Sequence, residues 1–190
     1  MGEYIKQYPT PSAPAIATYQ YTDIEDGSGL VNYYLVHRNT SAGNTYHLTT
    51  STKKAAMTLT AGNPDSGHTI GAGTTTLNGD IYNTARTVKG VASFSAKLTT
   101  NQAQTTSTIS VKVQKVSGGT AVDISSEITL SPTTQKRYVN FEIPLTETYF
   151  AQGDNLRIIV TIVASGSSIS CDPQATDYPS TIEIPFKIDL

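Results

Sequence analysis

Val88-Lys89-Gly90-Val91-Ala92-Ser93-Phe94-Ser95-Ala96-Lys97-Leu98-Thr99 reads as one long β-strand. Val88, Gly90, Ala92, Phe94, Ala96 and Leu98 share one face, and Lys89, Ser93, Ser95 and Lys97 share the other. Successive strand side chains point to opposite faces, so a period of two buries the first set and wets the second. A helix cannot carry that period. Toward the C-terminus, Ile109-Ser110-Val111-Lys112-Val113-Gln114 repeats the alternation. Ser117-Gly118-Gly119-Thr120 then turns the chain and Val122 to Leu130 returns, a hairpin built on two glycines.

Val139, Phe141 and Ile143 face inward on the next strand, which Pro144 is expected to end. Leu156 to Val163 is almost wholly apolar, as expected of a central strand covered on both faces. Ser165 to Ser170 reads as a loop. The last strand carries Ile182, Ile184, Phe186 and Ile188, with Pro185 on the opposite face, which implies an edge strand or a bulge.

Toward the N-terminus, Leu30 to Val36 is apolar and aromatic between turn signals at Asp26 to Gly29 and Asn39 to Asn44. Tyr46 to Thr50 and Ala56 to Thr60 are further candidate strands. Ala61 to Asn83 is rich in Gly, Asn and Thr and reads as long loops with weak strands around Thr74 to Leu77. That length exceeds the usual connection and hints at an exposed working surface.

Before all of this, Tyr4 to Thr18 holds Pro9, Pro11 and Pro14 among small residues. Proline fixes φ and lacks an N–H, so the stretch is extended and cannot join a central strand. Ordering about fifteen residues costs on the order of 15–30 kcal/mol. The arm's own Tyr4, Ile5, Tyr8 and Ile16 are too few to offset that, so docking on the sandwich or, by preference, on a neighbouring subunit is expected through Tyr4, Ile5, Tyr8, Pro9, Pro11, Pro14 and Ile16. The expectation is therefore all-β: a single antiparallel β-sandwich, jelly-roll-like or alternatively Ig-like, over 19–190, preceded by an extended arm over 1–18.

Composition narrows the function classes. The chain has 190 residues, is 37% hydrophobic and only 15% charged, and Thr, Ser, Gly and Asn fill the difference. β-Branched Thr suits a half-exposed pleated surface and fits poorly in helices. A net charge of −2 with scattered Lys and Arg argues against nucleic acid, which needs clustered cations. No segment approaches the apolar length of a membrane span. Met1-Gly2-Glu3-Tyr4-Ile5-Lys6 lacks the basic-then-apolar pattern of a secretion signal, so a cytosolic origin is expected.

No residue set announces chemistry. Cys171 is the one cysteine, and Ser170 and Asp172 beside it supply nothing to lower its pKa. His37, His47 and His68 sit in different turns or strand ends without metal-ligand spacing. Asp23-Ile24-Glu25-Asp26-Gly27 lacks the spacing of a calcium loop, and Asp172 and Asp177 flank a proline-bearing loop. Glu127, Glu142 and Glu147 fall at strand ends or exposed alternation positions, where acids keep a sheet soluble. No nucleophile elbow, phosphate loop or dinucleotide fingerprint occurs. The expectation is no enzyme, no catalytic residue, no cofactor and no metal. Sugar recognition stays open as an alternative. It would rest on tyrosines such as Tyr4, Tyr8, Tyr19, Tyr21, Tyr82 and Tyr178, in a chain without Trp.

Asn140-Phe141-Glu142-Ile143-Pro144-Leu145, followed by Tyr149-Phe150-Ala151-Gln152-Gly153-Asp154-Asn155-Leu156-Arg157-Ile158, forms a recognisable sandwich phrase. With Tyr21-Thr22-Asp23-Ile24, Tyr46-His47-Leu48-Thr49-Thr50 and Thr87-Val88-Lys89-Gly90, it resembles virion proteins of tailed double-stranded DNA viruses (bacteriophages). These include capsid decoration and auxiliary subunits with jelly-roll-like folds. The resemblance implies a decoration or cement subunit, assembled in the host cytoplasm and located in the virion. It implies a homo-oligomer, a trimer by preference, whose partners are the major capsid protein or other virion proteins. The alternative is a tail, fibre or receptor-binding virion component that recognises carbohydrate.

Overall fold

The computed structural model describes residues 17–18, 28–40, 43–50, 69–99, 108–130, 136–163, 167–170 and 179–187, and every regular element among them is a β-strand. In chain order they are β1 (Ala17–Thr18), β2 (Ser28–Thr40), β3 (Gly43–Thr49), β4 (Thr69–Ile70), β5 (Gly73–Ile81), β6 (Arg86–Thr99) and β7 (Ile109–Ser117). They continue with β8 (Thr120–Asp123), β9 (Ile128–Leu130), β10 (Lys136–Phe150), β11 (Asn155–Ile162), β12 (Ser168–Ser170) and β13 (Thr181–Lys187).

All of these strands join one hydrogen-bonded network that folds over on itself. One layer runs β10-β6-β13-β2, and the other runs β5-β11-β7 with β8 and β9 beyond. Two narrow seams connect the layers. At one, β3, paired antiparallel with β2, meets β5 in parallel through only Tyr46↔Leu77 and His47↔Asn78. At the other, Ser125 bridges Leu145, and the Thr146 N–H donates to the Ile124 carbonyl at 2.7 Å. The all-β sandwich is borne out, with one parallel pair in an otherwise antiparallel ladder.

The two layers enclose one apolar core. Val88, Ala92, Phe94, Ala96 and Leu98 of β6 are wholly buried, as their alternation requires. They face Val111 and Val113 of β7 and Leu156, Ile158 and Val160 of β11 within the same cluster. Each fully buried side chain of this size contributes about 1.5–3 kcal/mol. Gly118 and Gly119 take φ of 55° and 86° between β7 and β8, as the hairpin needs. The return leg expected over Val122 to Leu130 divides into β8 and β9, with buried Ile124 and Ser125 between them.

Pro144 departs from expectation. β10 runs through Pro144 to Phe150. Its one strand partner among the described residues is β6, so the missing N–H can face the unpaired edge. Pro185 lies in a central strand, since β13 sits between β2 and β6. The expected bulge is there: the β13·β6 ladder skips from Glu183↔Ser93 to Phe186↔Val88. Gly90, opposite, takes φ of 118°, and a Cβ on it would lie 3.3 Å from Pro185 Cγ.

Two further corrections concern β11 and β5. β11 is central, flanked by β5 and β7, but only one of its faces is buried. Arg157, Ile159 and Thr161 are half-buried on the outer face. The weak strand expected near Thr74 to Leu77 is the nine-residue β5. Of the arm, Ala17 and Thr18 pair with Val31 and Leu30 of the same chain. Tyr4, Ile5, Tyr8, Pro9, Pro11, Pro14 and Ile16 lie outside the described residues, as does the candidate strand Ala56 to Thr60.

Candidate functional site

The β3·β5 seam opens a cleft on the outer surface. Only two register pairs join these strands among the described residues. The cleft that results has a volume of about 330 Å³ and is lined by Thr45, Tyr46, His47, Thr74, Thr75, Thr76 and Asn78. Strand alternation sets Thr74, Thr76 and Asn78 on the outer face of β5 and Leu77 in the core. In the same way Thr45 and His47 share a face of β3, while Tyr46 packs against the core and meets His37 edge-on, ring centroids 5.0 Å apart.

β11 holds two lining side chains from behind. Arg157, in register with Asn78, donates from Nε to Asn78 Oδ1 at 2.7 Å. A guanidinium has no acceptor, so the atom facing it must be the amide oxygen, and Nδ2 turns the other way. Thr161, in register with Thr74, shares a hydroxyl–hydroxyl hydrogen bond with it at 3.1 Å. On β3, His47 Nε2 lies 3.3 Å from Thr45 Oγ1. The lining that the described residues form is thus free of carboxylate, Lys and Arg and dense in hydroxyl, amide and imidazole groups. Thr45 and His47 form a hydroxyl–imidazole pair of the kind nucleophilic chemistry starts from, and among the described residues no carboxylic acid lines the cleft with them.

A second polar cluster closes one end of the sandwich. The Tyr33 and Tyr82 hydroxyls meet at 3.2 Å, both rings buried. Burial pushes both phenols above their usual range, and for Tyr82 the neighbouring Tyr33 adds to the effect, so the pair stays neutral. The Arg86 guanidinium sits over the rings of Tyr82 at 4.3 Å and Phe186 at 5.3 Å. Tyr82 meets Phe150 edge-on at 5.2 Å, and Lys115 Nζ stands 5.6 Å from the Phe150 ring. Lys115 in turn pairs with buried Asp154 at 2.9 Å. Hydrogen bonds from Ser117 and Lys115, aided by the Ala151 N–H, hold the Asp154 carboxyl below its ordinary range against the cost of burial. This cluster plugs an end of the core.

The residues weighed from sequence are scattered by the fold. His47 lines the cleft and His37 lies buried beneath it, while His68 is outside the described residues. Glu127 accepts from Ser110, Glu147 pairs with Lys89 at 2.8 Å, and Glu142 is exposed on β10. Cys171, the Asp23–Asp26 run, Asp172 and Asp177 lie outside the described residues, as do Tyr4, Tyr8, Tyr19, Tyr21 and Tyr178. Tyr82, taken as a loop tyrosine for stacking, is 7% exposed and belongs to the plug. Among the described residues no three His, Cys, Asp or Glu side chains group as a metal site. The signal for the cleft was present as Thr74-Thr75-Thr76 beside Asn78, and it reads as loop composition until β5 is recognised.

Solved structures share this architecture. A CocE/NonD family hydrolase from Staphylococcus aureus matches with a TM-score of 0.58 at 12% identity, over 81% of this chain and 36% of the hydrolase. An α-amino acid ester hydrolase matches with a TM-score of 0.50 at 13% identity, over 60% of this chain and 25% of that one. The chain shares its fold with hydrolases. It spans about a quarter to a third of their length, and at such identity the likeness establishes the fold. No protein-family model and no curated protein matches the sequence.

These matches overturn two expectations. The two matched chains are hydrolases, so the assignment as a capsid decoration subunit, or as a tail, fibre or receptor-binding virion component, is withdrawn. The exclusion of an enzyme falls for the same reason. The misleading phrase was Gly153-Asp154-Asn155-Leu156-Arg157. Its Gly153 takes φ of 92° and its Asp154 carboxylate accepts the Ala151 N–H at 2.8 Å. Those are the requirements of a tight strand-to-strand turn in any sandwich, and they carry no information about a virion.

Proposed function

We propose that the chain is the β-sandwich unit of a hydrolase acting on ester or amide bonds, working against a separate catalytic body. One observation carries this reading: most of the chain matches the fold of a CocE/NonD family hydrolase while accounting for 36% of that enzyme's length. The remaining length of such an enzyme is available to hold the catalytic body. An ester-hydrolysing neighbour, the α-amino acid ester hydrolase, supports α-amino acid esters as the first substrate class to try. A sandwich suits such a role because its rigid core holds edges and loops in fixed positions over a neighbouring site.

The test compares the purified chain with the chain isolated in its native assembly, using α-amino acid esters and the matching amides. Turnover confined to the assembly is expected. Turnover by the purified chain that His47→Ala abolishes would relocate the chemistry to the Thr45–His47 pair and overturn the separate catalytic body. Hydrolysis by neither preparation would end the hydrolytic reading.

A further inference from the structure

We propose that the cleft at the β3·β5 seam binds a neutral, polyhydroxylated ligand, a sugar ring or an open polyol. The assignment follows from what its lining offers and what it withholds. Thr45, Thr74 and Thr76 supply hydroxyls that both donate and accept, Asn78 supplies an amide, and His47 an imidazole. Among the described residues no carboxylate lines the cleft to offset the charge of a cation. Among the described residues no Lys or Arg lines it either, and the Nε of Arg157 behind it is engaged by Asn78, so these residues offer an anion no clamp. An apolar ligand would strip water from these hydroxyls without replacing the lost hydrogen bonds. A ligand bearing several hydroxyls both donates and accepts, so it can replace the hydrogen bonds that water makes there.

The donors are also set in place before any ligand arrives. Because Arg157 takes the Asn78 oxygen, the amide offers Nδ2 to the cleft, and Thr161 fixes the Thr74 hydroxyl. Arg157 and Thr161 are positioning residues, held in register with their targets by the β11·β5 ladder. A side chain already oriented loses less freedom on binding. A volume of about 330 Å³ lies at the small end of ligand sites, which fits one or two rings. This inference does not depend on the hydrolytic reading, and its readout is binding alone.

The experiment follows backbone amide shifts of the full chain titrated with glucose, galactose and sorbitol, with glucuronate and glucosamine as charged counterparts. A neutral probe is expected to saturate roughly in the millimolar range and to shift amides of Thr45 to His47 and Thr74 to Asn78. Thr76→Val keeps a β-branched side chain and removes the hydroxyl, and should weaken binding about fivefold with an unchanged melting temperature. Should that variant unfold, Thr45→Val at the exposed rim carries the same expectation. Arg157→Met should weaken binding through the freed Asn78, and Arg157→Lys, which retains a donor, should restore part of it. Shifts confined to other surfaces, tighter binding of a charged probe, no saturation by any neutral probe, or equal affinity in the threonine variants would each overturn the proposal.

Discussion

Asp154 closes the turn between β10 and β11 because its carboxylate meets the Ser117 hydroxyl, the Lys115 ammonium and the Ala151 N–H. It is 4% exposed, so an ionised carboxylate there depends on those partners. Asp154→Asn leaves Lys115 without its counter-charge and should lose about 1–3 kcal/mol in a denaturant titration at neutral pH. The sign of the pH dependence follows from the lowered pKa. A carboxyl that binds its proton less readily when folded contributes stability above its unfolded value, near 3.8, and loses that contribution as pH falls through the folded value. The gap between wild type and variant should therefore stay level from neutral pH down to about 4 and close below it; a gap unchanged at lower pH would remove Asp154 as its source. Gly90 and Gly153 offer a second residue-scale comparison. Both hold positive φ, 118° and 92°, but a Cβ on Gly90 would touch Pro185 whereas one on Gly153 meets nothing within 4 Å. Gly153→Ala should cost about 1 kcal/mol for conformation alone, and Gly90→Ala more, by about 1 kcal/mol, because the tightly packed sheet must also move. Equal losses in thermal melts would mean that Pro185 yields freely.

Strands differ here in how plainly their sequences announce them. β6 and β7 were legible because their inward residues are apolar and their outward ones are mostly polar, so the period shows in hydrophobicity alone. β5 was nearly invisible, since of its nine residues only Leu77 is buried and its outer face is threonine and asparagine. Composition alone makes that pattern look like a loop. β11 erred the other way: Ile159 is apolar yet half-exposed, so an apolar run was mistaken for burial on both faces. Pro144 does not end β10, because an open edge tolerates its missing N–H, whereas Pro185 sits at the bulge its position implied. The cleft escaped notice for the reason β5 did, because it is built from that strand's polar face and from a parallel junction that no local pattern encodes. Pairing predicts dynamics at this scale. β6 is paired along both edges, by β10 on one and by β13 and β12 on the other, and β11 lies between β5 and β7. Their amides should be the slowest to exchange with solvent, and alternate amides of β10 should exchange markedly faster than either. Uniform protection across β6, β10 and β11 would show that the β10 edge is covered.

At the scale of the molecule, two layers joined by two narrow seams need something to stop them from sliding, and the end plug supplies it. Tyr33 comes from β2, Arg86 from β6, Phe186 from β13 and Phe150 from β10, all in one layer. Lys115 belongs to β7 and Tyr82 directly follows β5 in the other, with Asp154 at the turn that links the layers. Tyr82 is the hinge of this arrangement: its backbone N–H donates to the Asp154 carbonyl at 2.7 Å, and its carbonyl accepts from Gly153 at 2.9 Å. Its ring lies under Arg86 and against Phe150, and its hydroxyl meets Tyr33. Removing the hydroxyl alone, in Tyr82→Phe, leaves the Tyr33 hydroxyl buried without this partner and should cost about 1–2 kcal/mol. Removing the ring, in Tyr82→Ala, opens a cavity between the layers and strips the platform under Arg86, for a loss of about 3–5 kcal/mol. Against a total stability of about 5–15 kcal/mol, that loss should lower the melting temperature by roughly 6–20 °C for a chain of this size. Because the plug spans both layers, the Tyr82→Ala loss should also speed exchange in β6 and β11 together. If instead Tyr82→Ala melts within a degree or two of wild type, or loosens one layer and spares the other, the layers are held by the core and seams alone, and the plug is no more than surface packing.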